Sequence, residues 1–287
     1  MKKSIFSLLS LGAVLLTGCG GKSLSNEELG AKLEALHTAN SAETFAAPQA
    51  ASFSTVMDFV MDTNGVEDLN QKEEMYVDYD LATGYSHLKI VSADGIQEQF
   101  VYVDGTSLVM AMQIGEEKLY TSMDCGTAEI ALETGKTMIT EEQMDIVVAS
   151  YAQGIQEIET IQNYLLMDSW NHDEDPENDY DLGYTSSFEL KISGKDNKGA
   201  TDVTVSVKGH ADADETGSAG SIDGVLKASF NADGYLTYSL DNATLIESMG
   251  IGEDAMTMTV KSKIETKIAY SVKPVYPNLD EFEAVEL

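Results

Sequence analysis

The chain of 287 residues carries 49 acids against 17 bases, a formal charge of −32, and every base is a lysine. So acidic a chain repels polyanions and anionic headgroups and has no guanidinium fork for phosphate or carboxylate. This excludes nucleic acid as a partner and many anion receptors. Hydrophobic residues make up 43% of the sequence, enough for one large domain, or two small ones, with a sizeable core.

Residues 1–18 have the three parts of a secretory signal: Lys2 and Lys3, an apolar run from Ile5 to Leu16, and small residues at a cut site. The run is too short for a spanning helix of about 20 residues and ends in Leu16-Thr17-Gly18-Cys19, a match to the lipobox Leu-x-Gly-Cys. The expectation is cleavage before Cys19 and a diacylglycerol on its thiol, which anchors the chain to the outer face of a membrane. Residues 19–25 then read as lipidated cysteine and tether, with Gly20-Gly21-Lys22-Ser23 as a flexible spacer. The remaining cysteine, Cys125, has no internal disulfide partner and reads as a small buried residue.

A helix is predicted from Asn26, with Asn26 as cap, Glu27 and Glu28 in the first turn, and Leu29, Leu33 and Leu36 on one face. Beyond Pro48 the period becomes two. Phe53, Thr55, Met57, Phe59 and Met61 point one way while Asp58 and Asp62 point the other, and Asn64-Gly65 makes a turn. Strands are predicted at Met75–Leu81, Tyr85–Val91, Gln97–Val103, Ser107–Ile114 and Lys118–Met123, an antiparallel meander. Spacings of three and four from Glu141 to Met167 predict two helices parted at Gly154. An acidic loop from Asp168 to Asp181 follows. Strands resume at Phe188–Ile192, Val203–Val207, Gly224–Phe230 and Tyr235–Leu240. The last run sets Met256, Met258, Val260, Ile264 and Ile268 on one side and Lys261, Lys263, Glu265 and Lys267 on the other. Such one-faced strands need cover, and the two helical regions are the available roof. The expected class is therefore α+β: a curved antiparallel sheet, an incomplete barrel, with helices packed on its concave face. Residues 26–287 form a single domain in this reading, with a helical insertion at about 141–167.

Lipobox, opening helix with Leu33-Glu34-Ala35-Leu36, strand meander, central helices and a second strand set ending at Tyr276-Pro277 together resemble the LolA/LppX-like half-barrel lipoproteins of bacterial envelopes, in particular Gram-positive members. The resemblance implies an apolar cavity between half-barrel and helical lid that carries acyl chains, or in some members a sensor or interaction module. The Gram-negative carrier fastens its lid with an arginine. None exists here, so transport of lipoproteins between membranes is not carried over.

Flexible thioether side chains line adaptable apolar surfaces, which makes Met57, Phe59, Met61, Met75, Met110, Met112, Met256 and Met258 the candidate contacts for a lipid or other apolar ligand. The competing reading is that they fill a core beneath the helices. Asp173, Asp175, Glu177 and Asp179 concentrate oxygen donors that would suit calcium, but the spacing lacks the glycine and terminal acid of an EF-hand, and a solvated loop is the alternative. His37, His87, His172 and His210 make no zinc spacing, and no nucleophile elbow, P-loop or dinucleotide fingerprint is present. The expectation is a binding protein without cofactor or catalytic activity. The rival is an envelope interaction or cation-binding protein with a packed core and acidic loops.

Overall fold

The computed structural model describes residues 21–39, 48–172, 186–213, 217–250 and 255–285. The signal segment, Cys19 and the acidic residues Asp173, Asp175, Glu177 and Asp179 lie outside these residues.

A short strand β1 (Lys22–Leu24) precedes helix α1 (Asn26–Ala39). Ser25, rather than Asn26, caps α1. Its Oγ accepts from the Glu28 amide at 3.2 Å while Glu28 Oε2 accepts from the Ser25 amide at 3.0 Å, a reciprocal capping box. The meander then runs through β2 (Ala50–Thr63), β3 (Val66–Asp80), β4 (Tyr85–Ser92), β5 (Gly95–Asp104), β6 (Ser107–Ile114) and β7 (Glu117–Asp124). Helix α2 (Ala128–His172) leads to β8 (Ser186–Asn197), β9 (Ala200–Ala211), β10 (Ala219–Phe230), β11 (Leu236–Met249) and β12 (Met256–Ala269). A 3-10 turn (Leu279–Glu281) and β13 (Glu283–Ala284) complete the described elements.

All thirteen strands join one sheet in the order β1-β8-β9-β10-β11-β12-β2-β3-β4-β5-β6-β7-β13. Pairing is antiparallel except for β13, which lies parallel to β7. The sheet is open, with β1 and β13 at its edges. This overturns the expected α+β half-barrel: the molecule is predominantly β, a large mixed sheet that is not closed. The physical reason is strand length. The strands β2, β3, β10, β11 and β12 run on well past the helices and stay paired there, because the largely polar Val66–Glu74 still pairs with β2, β2 with β12, and Asp241–Met249 with both β12 and β10. Strand therefore outweighs helix, and the helices roof one end of the sheet only.

That roofed end is where the hairpins β3–β4, β5–β6, β8–β9 and β10–β11 turn. Leu29, Leu33 and Leu36 of α1 and Ile158 and Ile161 of α2 pack there against Phe53, Val77, Val203, Val205, Leu226, Phe230 and Ile268. Further along the same roof, Ile139 of α2 meets Ala51 and Tyr79. The predicted pair of helices is one helix. Gly154 is not a break; a Cβ there would stand 3.2 Å from Leu236 Cβ, so glycine lets α2 approach β11 closely. Among the described residues, no helix is long and apolar enough to cross a membrane.

The opposite face is covered at β4–β7 by the C-terminal tail. Val272, Leu279 and Phe282 pack on Tyr85, Phe100, Tyr102, Val109 and Ala111, and Tyr276 meets Tyr85 and Tyr102 edge-on. The tail is also pinned by polar contacts: Glu281 pairs with Lys118 at 2.7 Å and the Val285 amide donates to Tyr120 O.

Candidate apolar binding face

Residues opposite one another in a ladder point to the same side, so the register fixes which side chains share a face. Phe53, Thr55, Met57, Phe59 and Met61 of β2 stand across from Val77, Met75, Glu73, Gln71 and Leu69 of β3. On the other flank they meet Ile268, Thr266, Ile264, Ser262 and Val260 of β12, the parity that also carries Met256 and Met258. Through β4 and β5 the same face reaches Met110 and Met112 of β6, since Met75 pairs with Ile90, Ile90 with Gln97, and Gln97 with Ile114. All eight sequence candidates, Met57, Phe59, Met61, Met75, Met110, Met112, Met256 and Met258, therefore lie on the helix-side face.

They are not equally covered. Met75 packs against the roofed core, whereas Met57 is 40% exposed, Met112 42% and Met256 39%. Phe59, Met61, Met110 and Met258 are half-buried. Four residues that the sequence reading did not single out extend the patch on this face: Leu69, Ile114, Ile222 and Met249, all exposed. Leu69, Ile222 and Met249 fall in strand segments whose mixed polarity hid them. On the other side of the same strands lie Asp58, Lys261, Lys263, Glu265 and Lys267, a wet surface of both signs.

At the boundary between roofed and open halves, a hollow of about 290 Å³ lies between α2 and β10–β12. Gln156, Glu157, Thr160 and Tyr164 line it from the helix, and Leu226, Ser239, Asp241 and Ile264 from the strands. The helix residues recur at one-turn spacing and so share a side. Burial pushes the Asp241 carboxyl up, and burial with the Asp241 charge beside it raises the Tyr164 hydroxyl.

On the opposite face, His87 stacks on Phe100 with ring centroids 4.3 Å apart. Its Nε2 contacts Glu98 Oε1 at 2.9 Å, and Nδ1 faces Asp78 Oδ2 across 3.6 Å, an electrostatic contact too long for a hydrogen bond. The other sequence histidines are scattered: His37 pairs with Glu159 and His210 with Asp212. Cys125 is half-buried at the end of β7. Among the described residues, no three His, Cys, Asp or Glu side chains are placed to hold a metal ion.

The chain matches no protein-family model and no curated protein. Among solved structures it is similar to the ywiB protein of Bacillus subtilis, at 8% identity and a TM-score of 0.14, covering 74% of this chain and 92% of that one. It is also similar to the MucA/MucB complex structure of Pseudomonas aeruginosa, at 10% identity and a TM-score of 0.13, covering 82% and 93%. A further structure, MucB in complex with MucA(peri), matches at 8% identity and a TM-score of 0.12, covering 84% and 94%. At these scores the likenesses carry no argument, and the LolA/LppX-like family stays a resemblance.

Proposed function

We propose that this chain is a lipid-anchored, extracytoplasmic binding protein, not an enzyme, that takes up the apolar chain of a small molecule or lipid on the open half of its helix-side face. The observation that carries this reading is the register: eight candidate apolar residues and four more share one face, and seven of them are exposed. Exposed apolar side chains gathered on one face mark a binding surface in soluble domains. The half-barrel cavity expected from the sequence has no part in the proposal; the ligand lies on an open sheet beside a helical wall.

The anchor sets the orientation. With Cys19 acylated, Gly20 and Gly21 alone separate the lipid from β1, and two residues reach at most roughly 7 Å. β1 pairs with β8 through Leu24 and Gly194, and Leu29 packs on Gly194, so the chain enters at the roofed end. A fourteen-residue strand such as β2 spans roughly 46 Å. The open half then projects away from headgroups that would in any case repel an acidic domain when anionic.

Two measurements test the proposal. Mass spectrometry of the mature N-terminal peptide should find Cys19 diacylglycerylated, and Cys19→Ala should release the protein from membranes; an unmodified, water-extractable chain refutes the anchor. Titration of the full mature chain with dodecyl maltoside below its micelle concentration should show saturable binding. No uptake would refute the apolar-ligand reading.

A further inference from the structure

We propose that the hollow between α2 and β10–β12 receives the ammonium head of a cationic amphiphile whose alkyl chain runs outward over the open apolar face. This rests on the reading of that face as an apolar-chain site and names the head group it takes.

The hollow and the open face are continuous. Met57, Ile264, Asp241 and Leu226 form one transverse row across β2, β12, β11 and β10, and the last three of them line the hollow. The next row outward, Phe59, Ser262, Ala243 and Gly224, is small at its centre. A Cβ added at Gly224 would meet only Ala243 Cβ at 3.7 Å and Asn242 O at 3.8 Å, ordinary contacts, so nothing bulky fills the space there. Beyond it Met61, Val260, Leu245 and Ile222 form an apolar row. The rows therefore describe a path from a polar recess, through a shallow trough, onto apolar surface.

The recess selects the sign of the head. Its lining includes two acids, Asp241 and Glu157, and no lysine. Among the described residues, no hydrogen bond or ion pair reaches the Asp241 carboxylate, which is partly withdrawn from water by α2. An unpaired carboxylate in such a setting gains from an opposite charge and disfavours an anion. Tyr164 adds a ring beside it, and aromatic faces attract ammonium groups. A sulfate, phosphate or carboxylate head would meet the like charge of Asp241, with no lysine in the lining to offset it.

The experiment is calorimetric titration of the full mature chain with dodecyltrimethylammonium, dodecyl maltoside and dodecyl sulfate, each below its micelle concentration. Wild type should bind the ammonium probe about tenfold more tightly than the maltoside, and the sulfate least. Asp241→Asn, which keeps the shape and removes the charge, should abolish the preference for the ammonium probe over the maltoside. Tyr164→Leu should reduce the same preference through a second residue. Asp68→Asn, an equal change of net charge at an exposed position of β3, should leave it unaltered. If Asp241→Asn keeps the ammonium preference, or Asp68→Asn loses it equally, the head-group assignment is overturned while maltoside binding leaves the apolar-face reading standing. If no dodecyl probe binds wild type, both fall.

Discussion

The division of one face into a roofed and an open half is tested most directly by comparing Leu33 with Met57. Leu33 is fully buried between α1 and the sheet, and Leu33→Ala should cost about 2–5 kcal/mol of stability through lost transfer energy and a residual cavity. Met57 is 40% exposed on the open half. Met57→Gln keeps an unbranched chain of similar length in contact with water and should cost below about 1 kcal/mol. Its effect on binding is separate. Fully burying a methionine side chain is worth about 1.5–3 kcal/mol, so a ligand that covers the exposed two-fifths gains about 0.6–1.2 kcal/mol, roughly three- to eightfold in Kd. Urea unfolding gives the first quantity and dodecyl maltoside titration the second. A Met57→Gln loss on the scale of Leu33→Ala would mean that the face is interior. An unchanged maltoside Kd would mean that no alkyl chain crosses Met57.

Three further outcomes follow from local geometry. A Cβ at Gly194 would lie 2.9 Å from Leu29 Cδ1, so Gly194→Ala should destabilise by about 1–3 kcal/mol in urea; a neutral change would mean that α1 does not press on β8 there. The Tyr85 hydroxyl donates to Val275 O at 3.0 Å and accepts from the Val275 amide at 3.1 Å, so Tyr85→Phe should cost about 1–3 kcal/mol and speed amide exchange at Val275; unaltered exchange would separate the tail from this contact. Burial pulls His87 down, but the carboxylates of Asp78 and Glu98 outweigh it and hold the imidazole above its ordinary 6.5. Burial likewise pushes Glu98 up, yet His87 and Lys89 hold it below 4.5. The His87 contribution is complete below pH 6.5 and fades as pH rises through the raised value, while that of Glu98 is complete above pH 4.5 and fades as pH falls through the lowered one. Stability relative to His87→Gln should therefore be greatest between about pH 4.5 and 6.5 and decline above; a difference that stays flat into the alkaline range would show that the pair is not coupled to folding.

What the sequence made legible was parity; what it hid was extent. Alternation in Phe53–Met61 and in Met256–Ile268 assigned both strands to the correct sides, and the register unites them on one face. The leucines of α1 were equally plain, because a helix that buries one stripe must repeat it at three and four. Val66–Glu74 carried no such signal: it pairs with β2 although, Val66 and Leu69 apart, its side chains are polar on both sides, so hydrophobic period is silent where pairing alone makes a strand. Ala128–Ile139 was missed for a related reason, since Ala131 and Gly135 pack by smallness rather than by bulk. The hollow was out of reach altogether. Asp241 reads as one acid among 49, and only the register of β10–β12 with the position of α2 brings it beside Tyr164 and Leu226.

These observations bear on why so acidic a chain carries an open apolar face at all. An exposed sheet with one greasy side invites a second copy, and proteins blunt that hazard with charge. Here the side chains beyond the roof are methionines and branched aliphatics on one face and lysines with carboxylates on the other, so the local balance of β2 and β12 is mixed and the repulsion must come from elsewhere. A formal charge of −32 supplies it across the whole surface, acting over a Debye length of about 8 Å at physiological ionic strength. Such repulsion opposes acidic copies and anionic surfaces and does not oppose small neutral or cationic molecules. The absence of arginine fits the same logic: lysine offers a compact, strongly hydrated charge without a planar fork that would fasten a carboxylate of a neighbouring copy. Composition and fold thus constrain each other, since an apolar face of this kind stays available to a ligand only on a chain that its own copies avoid.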